Sequence, residues 1–579
     1  MLRKFVSKMY IYILTIFIVG ILIAICFFSA GSTTYLIDWE RTTYVKDSFF
    51  LNLVVALVLI VFLVMIRKSR IYKWIVKKID NEYQFKKVKR IMLFIIFLIG
   101  AIWALSTQFV PGVDEGEIQT YAYLATKGNF DVFAPGQYMN RYPCQWGLFL
   151  FDYILSILFG SLNYLVFELI NAIAISVIFN QLCEIGKING MGKIGQLILL
   201  LVGIIFFPIT FYSIMVYGNM LGVALSLTAI KYEIIFMEKK KKRDALRCAI
   251  FISLAILIKS TMLIYFLAIL FSVIIKLIIE PSKRVVLFIM LLGIGYVVQA
   301  NGIRTTVEYM SGYEMTEPCS NWAFVAMGLQ EGDLAPGWWN GYVISSYEEG
   351  NVNTNEQTKI SKEAINSAIV KFKNDHDYAK EFFLKKFTST WVNPTFQCFA
   401  TVRNGEYVII PEWARKILTY NGQFYVVKYL NIISFLIYFG TLIDSIFLFK
   451  RKEFNKFILP MAFVGGVVFL SFWETKARYA LMFFIAIIPG TVEGYLLLIR
   501  KIGDLEEKRK QIFKWQEFFI QAKSVYVPIV TVILALCFCA SLYNTKYCNI
   551  LNEDTPQYIK YLQSEDTSRE IINYVGENI

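Results

Sequence analysis

The chain has 579 residues, of which 57% are hydrophobic and 18% are charged. This balance excludes an ordinary soluble protein and predicts a protein that crosses a membrane many times. The formal net charge of +14 is carried mainly by clusters in loops. Such clusters indicate membrane topology and contact with anionic lipids, and they argue against a nucleic-acid partner.

Two further features limit the chemistry. The single histidine, His376, excludes a metal site built from several histidines. The sequence has no glycine-rich loop of the Walker or Rossmann type, so a nucleotide-bound donor is not indicated.

Basic clusters orient the predicted spans. Residues 67–90 contain ten lysines and arginines against two acidic residues, and 239–243 are five consecutive basic residues. Because basic loops stay on the cytoplasmic side, both clusters are placed inside. The sequence then predicts an all-α polytopic fold of about 13 spans, at 10–30, 49–66, 91–106, 164–182, 194–211, 214–236, two short spans within 248–279, 285–300, 424–448, 457–472, 480–499 and 526–543.

One apolar stretch is too short for a span. Residues 147–159 would form a helix of about 20 Å, whereas the hydrocarbon core is about 30 Å thick. We therefore interpret this stretch as an interfacial or re-entrant helix.

The chain is accordingly divided into five parts. An N-terminal pair of spans with its basic loop (1–90) precedes a catalytic membrane core (91–300), whose first outer loop is 107–146. An outer-face loop segment (301–423), further core spans (424–500) and a last part with one span and an outer tail (501–579) follow.

Under this topology, polar residues from distant parts of the chain meet at the outer face. Carboxylates there can take a proton from an acceptor hydroxyl or help to hold a divalent metal. Lysine and arginine can bind a phosphate and stabilise it as a leaving group. A lipid-linked phosphosugar needs both kinds of group at this depth. The candidates are Asp114, Glu115, Arg141, Tyr142, Asn219, Lys259, Glu474, Lys476 and Arg478.

Four short motifs carry a family resemblance, which covers roughly residues 91–500. They are Pro111-Gly112-Val113-Asp114-Glu115-Gly116, Arg141-Tyr142-Pro143, Ile258-Lys259-Ser260-Thr261 and Glu474-Thr475-Lys476-Ala477-Arg478-Tyr479. Their order and their common side of the membrane resemble the GT-C superfamily of integral-membrane glycosyltransferases. Within it, the similarity is to the glycosyltransferase 39 type, with the protein O-mannosyltransferases and the aminoarabinose transferases.

The resemblance implies roles for single residues. Asp114 would be the catalytic carboxylate with Glu115 beside it, and Lys259 and Arg478 would bind the donor phosphate. Many relatives have an acidic residue where this chain has Asn219, and an amide cannot act as a base. Metal dependence therefore stays open.

The expected function is sugar transfer from a polyprenyl-phosphate donor to a glycan, lipid or protein acceptor. The expected location is the outer face of a plasma membrane, of bacterial type by residue usage. A polysaccharide polymerase or ligase, a lipid-sugar flippase and a non-catalytic scaffold are the alternatives. Lys259 could also be a lysine that only reaches toward the membrane surface, and the 474–478 charges could be a structural ion-pair cluster.

Overall fold

The computed structural model describes residues 2–37, 40–107, 110–161, 163–399, 411–418, 420–448, 454–511, 540–544 and 546–551. Helices dominate these residues, and nine of the helices are long and apolar enough to cross a membrane. The prediction of an all-α polytopic membrane fold is thus confirmed, with one small sheet added near the N-terminus.

The helices and strands follow each other in a simple order. The first half contains α1 (Leu2–Gly31), β1 (Ser32–Ile37), β2 (Arg41–Lys46), α2 (Phe49–Lys68), α3 (Arg70–Asp80), α4 (Glu82–Thr107), α5 (Val113–Ala125), α6 (Tyr138–Arg141), α7 (Trp146–Phe159), α8 (Tyr164–Ile188), α9 (Lys193–Ile205), α10 (Pro208–Phe211), α11 (Asn219–Lys239), α12 (Lys242–Ile258) and α13 (Leu263–Ile279). The second half contains α14 (Lys283–Ser311), α15 (Asn321–Gly328), α16 (Tyr342–Glu349), α17 (Thr354–Asn374), α18 (His376–Trp391), α19 (Glu412–Leu418), α20 (Tyr420–Leu448), α21 (Ile458–Phe472), α22 (Ala477–Phe484), α23 (Ile488–Gln511) and α24 (Cys548–Leu551).

The number of spans differs from the predicted 13. Besides the nine long helices, two helix pairs are bent by 100° and 60° at a short break, which gives at most eleven spans in the described residues. The more strongly bent pair joins Asp131–Arg141 to Pro143–Phe159 and contains α7, the stretch that we interpret as re-entrant. Most of the predicted last span, 526–543, lies outside the described residues.

Three helices have basic residues at one end and candidate site residues at the other. α4 begins within the basic 67–90 cluster and ends shortly before the acidic motif. α11 runs from Asn219 to Lys239, and α12 returns from Lys242 to a C-cap at Lys259. With 26 residues, α4 is about 39 Å long, enough to cross the core. The basic clusters and the candidate site therefore lie at opposite ends of these helices.

A β-hairpin between the first two spans is absent from the sequence prediction. β1 and β2 pair in antiparallel register from Ser32 with Lys46 to Ile37 with Arg41. The Thr42 amide donates to the Leu334 carbonyl at 2.9 Å, which anchors the hairpin to the polar segment after α14. The N-terminal pair of spans thus extends into the region where the candidate site residues lie.

Residues 312–399 fold around α15 to α18 and are here called the outer segment, after the side of the membrane that the sequence predicts for them. Lys386 on α18 is buried, and its ammonium nitrogen donates to the Gly328 carbonyl at 2.5 Å and to the Trp473 carbonyl at 2.9 Å. The Thr475 amide donates to the Gly337 carbonyl at 2.9 Å. Burial lowers the pKa of Lys386 to about 7. The outer segment therefore fixes the chain that leads into the 474–478 motif.

Lys386→Met should destabilise this junction. The thioether fills similar space but leaves the buried Gly328 carbonyl and the half-buried Trp473 carbonyl without their donor, and loss of the donor to a buried acceptor costs about 1–3 kcal/mol. We expect a lower apparent melting temperature of the detergent-purified protein, measured by intrinsic fluorescence. The exposed Lys373→Met should melt like wild type. Equal melting of the two variants would contradict a clamping role for Lys386.

Candidate functional site

Asp114 and Glu115 lie in the first turn of α5 and not in an open loop. Gly112 is the N-cap residue with extended backbone, and the helix begins at Val113. Carboxylates are favoured here because the helix N-terminus carries partial positive charge. Val113 has a φ of 53°, a strained value for a β-branched side chain. Strain of this kind is typical of functional sites because the surrounding fold must maintain it.

Tyr217 connects Asp114 to a cation. Its hydroxyl donates to Asp114 Oδ2 at 3.3 Å and accepts a hydrogen bond from Gln145. The ammonium nitrogen of Lys259 lies 3.3 Å from the centre of the Tyr217 ring. Burial raises the pKa of the Tyr217 phenol, so the hydroxyl keeps its proton and remains a donor. A carboxylate and a cation are thereby held on one tyrosine.

Two glycines allow the end of α12, which carries Lys259, to be enclosed tightly. A Cβ atom at Gly147 would lie 1.7 Å from the Leu257 carbonyl oxygen. Gly218 has a φ of 76°, and a Cβ atom there would lie 2.9 Å from the Ile258 carbonyl oxygen. Only glycine permits these contacts, so α7 and the start of α11 can pack against the chain at Lys259.

Lys259 lies in extended backbone directly after α12 and is 8% exposed. No carboxylate of the described residues forms an ion pair with it. Burial lowers its pKa to about 8, although the negative groups around it, which include Glu115 and Asp114, act in the opposite direction. A buried ammonium without a direct carboxylate partner among the described residues is well suited to an anionic ligand.

Lys476 and Arg478, the cations of the 474–478 motif, differ from Lys259 because they form ion pairs with carboxylates. Glu40, at the turn of the hairpin, pairs through one oxygen with Lys476 and through the other with Arg478. Arg478 also lies 3.6 Å from Glu115. Lys476 and Glu115 are buried, and Arg478 and Glu40 are largely so. Glu40 is thus a charged member of the site that the sequence reasoning missed.

Glu40, Glu115, Lys476 and Arg478, here called the Glu40 network, contain two carboxylates whose pKa values are shifted in opposite directions. Burial raises the pKa of Glu115 to about 7, and Asp114 adds to the rise, whereas Arg478 opposes it. For Glu40 burial also acts upward, but Arg478 and Lys476 outweigh it and lower its pKa. Glu40 therefore stays ionised at neutral pH and pairs with both cations, whereas Glu115 pairs with Arg478 alone among the described cations.

The remaining acid of the motif, Glu474, is buried next to the same cations. Burial raises its pKa, while Lys476 and Arg478 act to lower it. The Tyr479 hydroxyl donates to Glu474 Oε1 at 3.4 Å. The Arg478 amide donates to Gln397 Oε1 at 3.0 Å, and Gln397 has a φ of 64°. A strained turn of the outer segment therefore fixes the backbone of the arginine.

Arg141 and Tyr142 lie on the side of Asp114 that faces the outer segment. The Arg141 carbonyl accepts a hydrogen bond from the Cys319 amide at 3.0 Å, and its guanidinium lies 5.7 Å from the Tyr142 ring. The Tyr142 ring contacts Tyr138 at 5.0 Å between centroids. These two residues border the site but do not join the Glu40 network.

Asn219 is fully buried at the start of α11, and neither atom of its amide has a hydrogen-bond partner among the described residues. One turn later, Gly222 packs against the Lys259 side chain. Asn219 is therefore close to the Lys259 segment, with polar atoms left for a ligand or water.

The donor set does not fit a divalent metal. Within the part of the chain that the structure describes, no group of three or more Asp, Glu, His or Cys side chains could hold one. Glu115 faces Arg478, and Lys259 occupies the neighbourhood of Asp114. These cations would repel a metal ion and supply positive charge themselves.

Cysteines near the candidate site form no disulfide within the described residues. Cys144, Cys319 and Cys398 are free thiols. Cys144 is exposed beside the site, whereas the other two are buried. The side chain of Cys548 lies outside the described residues.

Comparison with protein-family models finds no match, and neither does comparison with curated proteins. Solved structures that are similar to the chain include two of an archaeal enzyme. The oligosaccharyltransferase of Archaeoglobus fulgidus in the apo form has 14% identity and a TM-score of 0.42, with 84% of this chain and 60% of that chain covered. The archaeal oligosaccharyltransferase AglB of the same organism, in complex with an inhibitory peptide and a dolichol-phosphate, has 14% identity and a TM-score of 0.40, with 83% and 60% covered. The chain thus spans about three fifths of these proteins, and similarity at this level assigns no family.

Proposed function

We propose that the chain is a membrane glycosyltransferase of GT-C type. It transfers a sugar from a polyprenyl-phosphate-linked donor to an acceptor hydroxyl at the outer face of the membrane. The observation that carries the proposal is the Asp114–Tyr217–Lys259 arrangement. In it, the Tyr217 phenol contacts both the Asp114 carboxylate and the Lys259 ammonium. Lys259 has no ion-pair partner among the described residues, and the arrangement lies at the helix ends opposite the basic clusters.

Asp114 is the base in this proposal. Its carboxylate takes the proton of the acceptor group as the acceptor attacks the anomeric carbon of the sugar. The Tyr217 hydroxyl donates to Asp114 Oδ2 and helps to hold the carboxylate in place. Attack on the face opposite the phosphate forms the new glycosidic bond with inversion.

Lys259 serves the leaving group. As the bond from the anomeric carbon to the phosphate oxygen breaks, its electron pair stays on that oxygen and the phosphate gains negative charge. The buried ammonium of Lys259 stabilises this charge more strongly than an exposed lysine would, because the local dielectric is low. The resemblance implies that Lys259 and Arg478 both bind the donor phosphate. We assign this role to Lys259 alone, since Arg478 and Lys476 already pair with Glu40.

The position of the basic residues along three helices supports an outer-face site. α4, α11 and α12 have their lysine-rich ends away from Asp114 and Lys259, and basic ends stay in the cytoplasm. A plasma membrane, with a cell-envelope glycan, lipid or protein as acceptor, would fit this orientation.

One observation favours the flippase alternative. Asp152, in the middle of α7, is buried, and neither of its carboxylate oxygens has a hydrogen-bond partner in the described residues. Ionisable groups within the membrane often mark transport pathways. α7 is too short to span by itself, however, and no internal repeat is found in the sequence, so transfer remains the better account.

A transfer assay tests the proposal directly. Membranes containing the chain are incubated with a panel of radiolabelled polyprenyl-phosphate sugars, and label in glycan, lipid and protein fractions is counted. We expect transfer from at least one donor. Movement of labelled donor between leaflets of proteoliposomes, without transfer, would identify a flippase. Neither activity from well-folded protein would leave the scaffold alternative.

Removal of divalent metals should not stop the reaction. Lys259 supplies the positive charge that a metal would otherwise bring to the phosphate. We therefore expect the transfer rate after EDTA treatment to stay within about twofold of the untreated rate, because the charge stabilisation is built into the protein. Loss of transfer with EDTA, and its recovery on adding back Mg²⁺ or Mn²⁺, would contradict the interpretation of the donor set.

A further inference from the structure

The turn of the hairpin brings an acidic side chain into the cationic half of the site from outside the 91–500 core. Glu40 follows β1, and its two carboxylate oxygens contact Lys476 and Arg478 separately. A bound phosphate would use its oxygens toward two such cations in the same way. Glu40 thus takes the position of an anion on this pair.

The hairpin is fixed in this position by packing. Leu36 of β1 is buried in one cluster with Trp338 and with Ala477, the residue between the two cations. The Thr42 amide bonds to the outer segment at Leu334. Glu40 is therefore held by contacts on both of its sides and is not merely a surface acid that happens to meet two cations.

The charges around the site then divide into two sets. Lys476 and Arg478 are matched by Glu40, and Arg478 also faces Glu115. Lys259 has no carboxylate ion pair with any described residue, and it contacts the Tyr217 ring. Of these three buried or largely buried cations, Lys259 is therefore the one without a direct carboxylate partner among the described residues.

We infer that Glu40 makes the site selective for a donor with a single phosphate. This rests on the proposed function. A sugar linked through one phosphate carries one negative charge, which Lys259 matches. A diphosphate-linked sugar carries a second phosphate, which would need Lys476 and Arg478 and would meet the Glu40 carboxylate there instead. Specificity of this kind comes from a repulsive group placed against the wrong ligand.

The test measures binding and does not require an acceptor. Full-length protein in nanodiscs is titrated with one sugar linked to polyprenyl phosphate, called the monophosphate below, and with the same sugar linked to polyprenyl diphosphate of the same chain length, called the diphosphate. Wild type should bind the monophosphate at least about tenfold more tightly, a ratio set by charge complementarity. Glu40→Gln should strengthen diphosphate binding by about tenfold or more and reduce or reverse the preference, since two cations become free.

Three further variants serve as controls for the binding measurement. Glu40→Asp keeps the negative charge and should keep the monophosphate preference. Glu381→Gln removes an exposed acid that pairs with Lys385 on the outer segment, and it should bind both lipids as wild type does. Lys259→Gln should bind the monophosphate much more weakly than wild type does.

The outcomes separate the inference from the proposed function. If wild type binds monophosphate through Lys259 but Glu40→Gln keeps the wild-type ratio, the inference is overturned and the proposed function stands. Wild-type binding of the diphosphate as tightly as the monophosphate overturns the inference as well, even if Glu40→Gln does not fold. No binding of either lipid to folded wild type overturns both.

Discussion

Asp114→Asn should reduce sugar transfer by about 10²- to 10⁴-fold, the range that removal of a general base typically costs. The amide keeps the shape of the side chain and can still accept the Tyr217 hydrogen bond, but it cannot take a proton from the acceptor. Binding of the donor lipid should change little, because the cation that faces the phosphate is Lys259. The loss should therefore appear in kcat and only weakly in the KM for the donor.

The measurement compares initial rates in membranes that contain equal amounts of protein, with monodispersity checked after solubilisation. Glu117→Gln is the matched control. Glu117 is exposed on the next turn of α5, and its carboxylate accepts a hydrogen bond from Tyr121 at 3.3 Å. It should keep near-normal transfer. If Asp114→Asn keeps transfer as well, Asp114 is not the base and Glu115 becomes the first alternative.

Part of this site could be predicted from local signals. Pro111 and Gly112 end the apolar stretch and place Asp114 directly after a membrane helix, which composition alone indicates. The Lys259-Ser260-Thr261 break between two apolar runs likewise identifies Lys259 as a residue at a helix end. The topology then brings both to one side of the membrane, because the basic clusters fix the direction of each span.

The pairing of the charges could not be predicted in this way. Glu40 lies more than 430 residues before Lys476 in the chain, and no local pattern connects a hairpin acid to a late helix. The hairpin itself had a signal in the alternating Thr, Tyr, Val and Ile residues on both sides of 38–40, which is typical of two short strands. That signal would have placed Glu40 at a turn, but only the tertiary packing places its carboxylate on two cations.

Lys386 illustrates the same limit. Any lysine on an amphipathic helix such as α18 is expected to face solvent. Its burial follows from the Gly328 and Trp473 carbonyls, which come from two other parts of the chain and offer acceptors at 2.5 and 2.9 Å. The sequence predicts which helices exist, whereas the interior of the site depends on contacts between segments far apart in the chain.

Binding of a polyprenyl-phosphate-linked sugar should weaken at alkaline pH because Lys259 loses its proton. Burial lowers the pKa of this lysine to about 8 in the ligand-free protein. The charged form is present below that value, so affinity should be full at lower pH and should fall by up to about tenfold per pH unit above about 8. The titration is followed in nanodiscs between about pH 6 and pH 10, a range in which the phosphodiester of the ligand keeps its single negative charge.

Substitution at Lys259 separates its charge from other effects of pH. Lys259→Arg keeps a positive charge throughout this range and should remove the alkaline loss, even if the larger side chain weakens binding at every pH. Lys259→Gln should bind about 30-fold or more weakly at pH 7, as truncation of one partner in a buried charge pair typically does. It should also show no alkaline loss. If both variants still lose affinity above about pH 8, another group carries that titration, and the phosphate does not depend on the charge of Lys259.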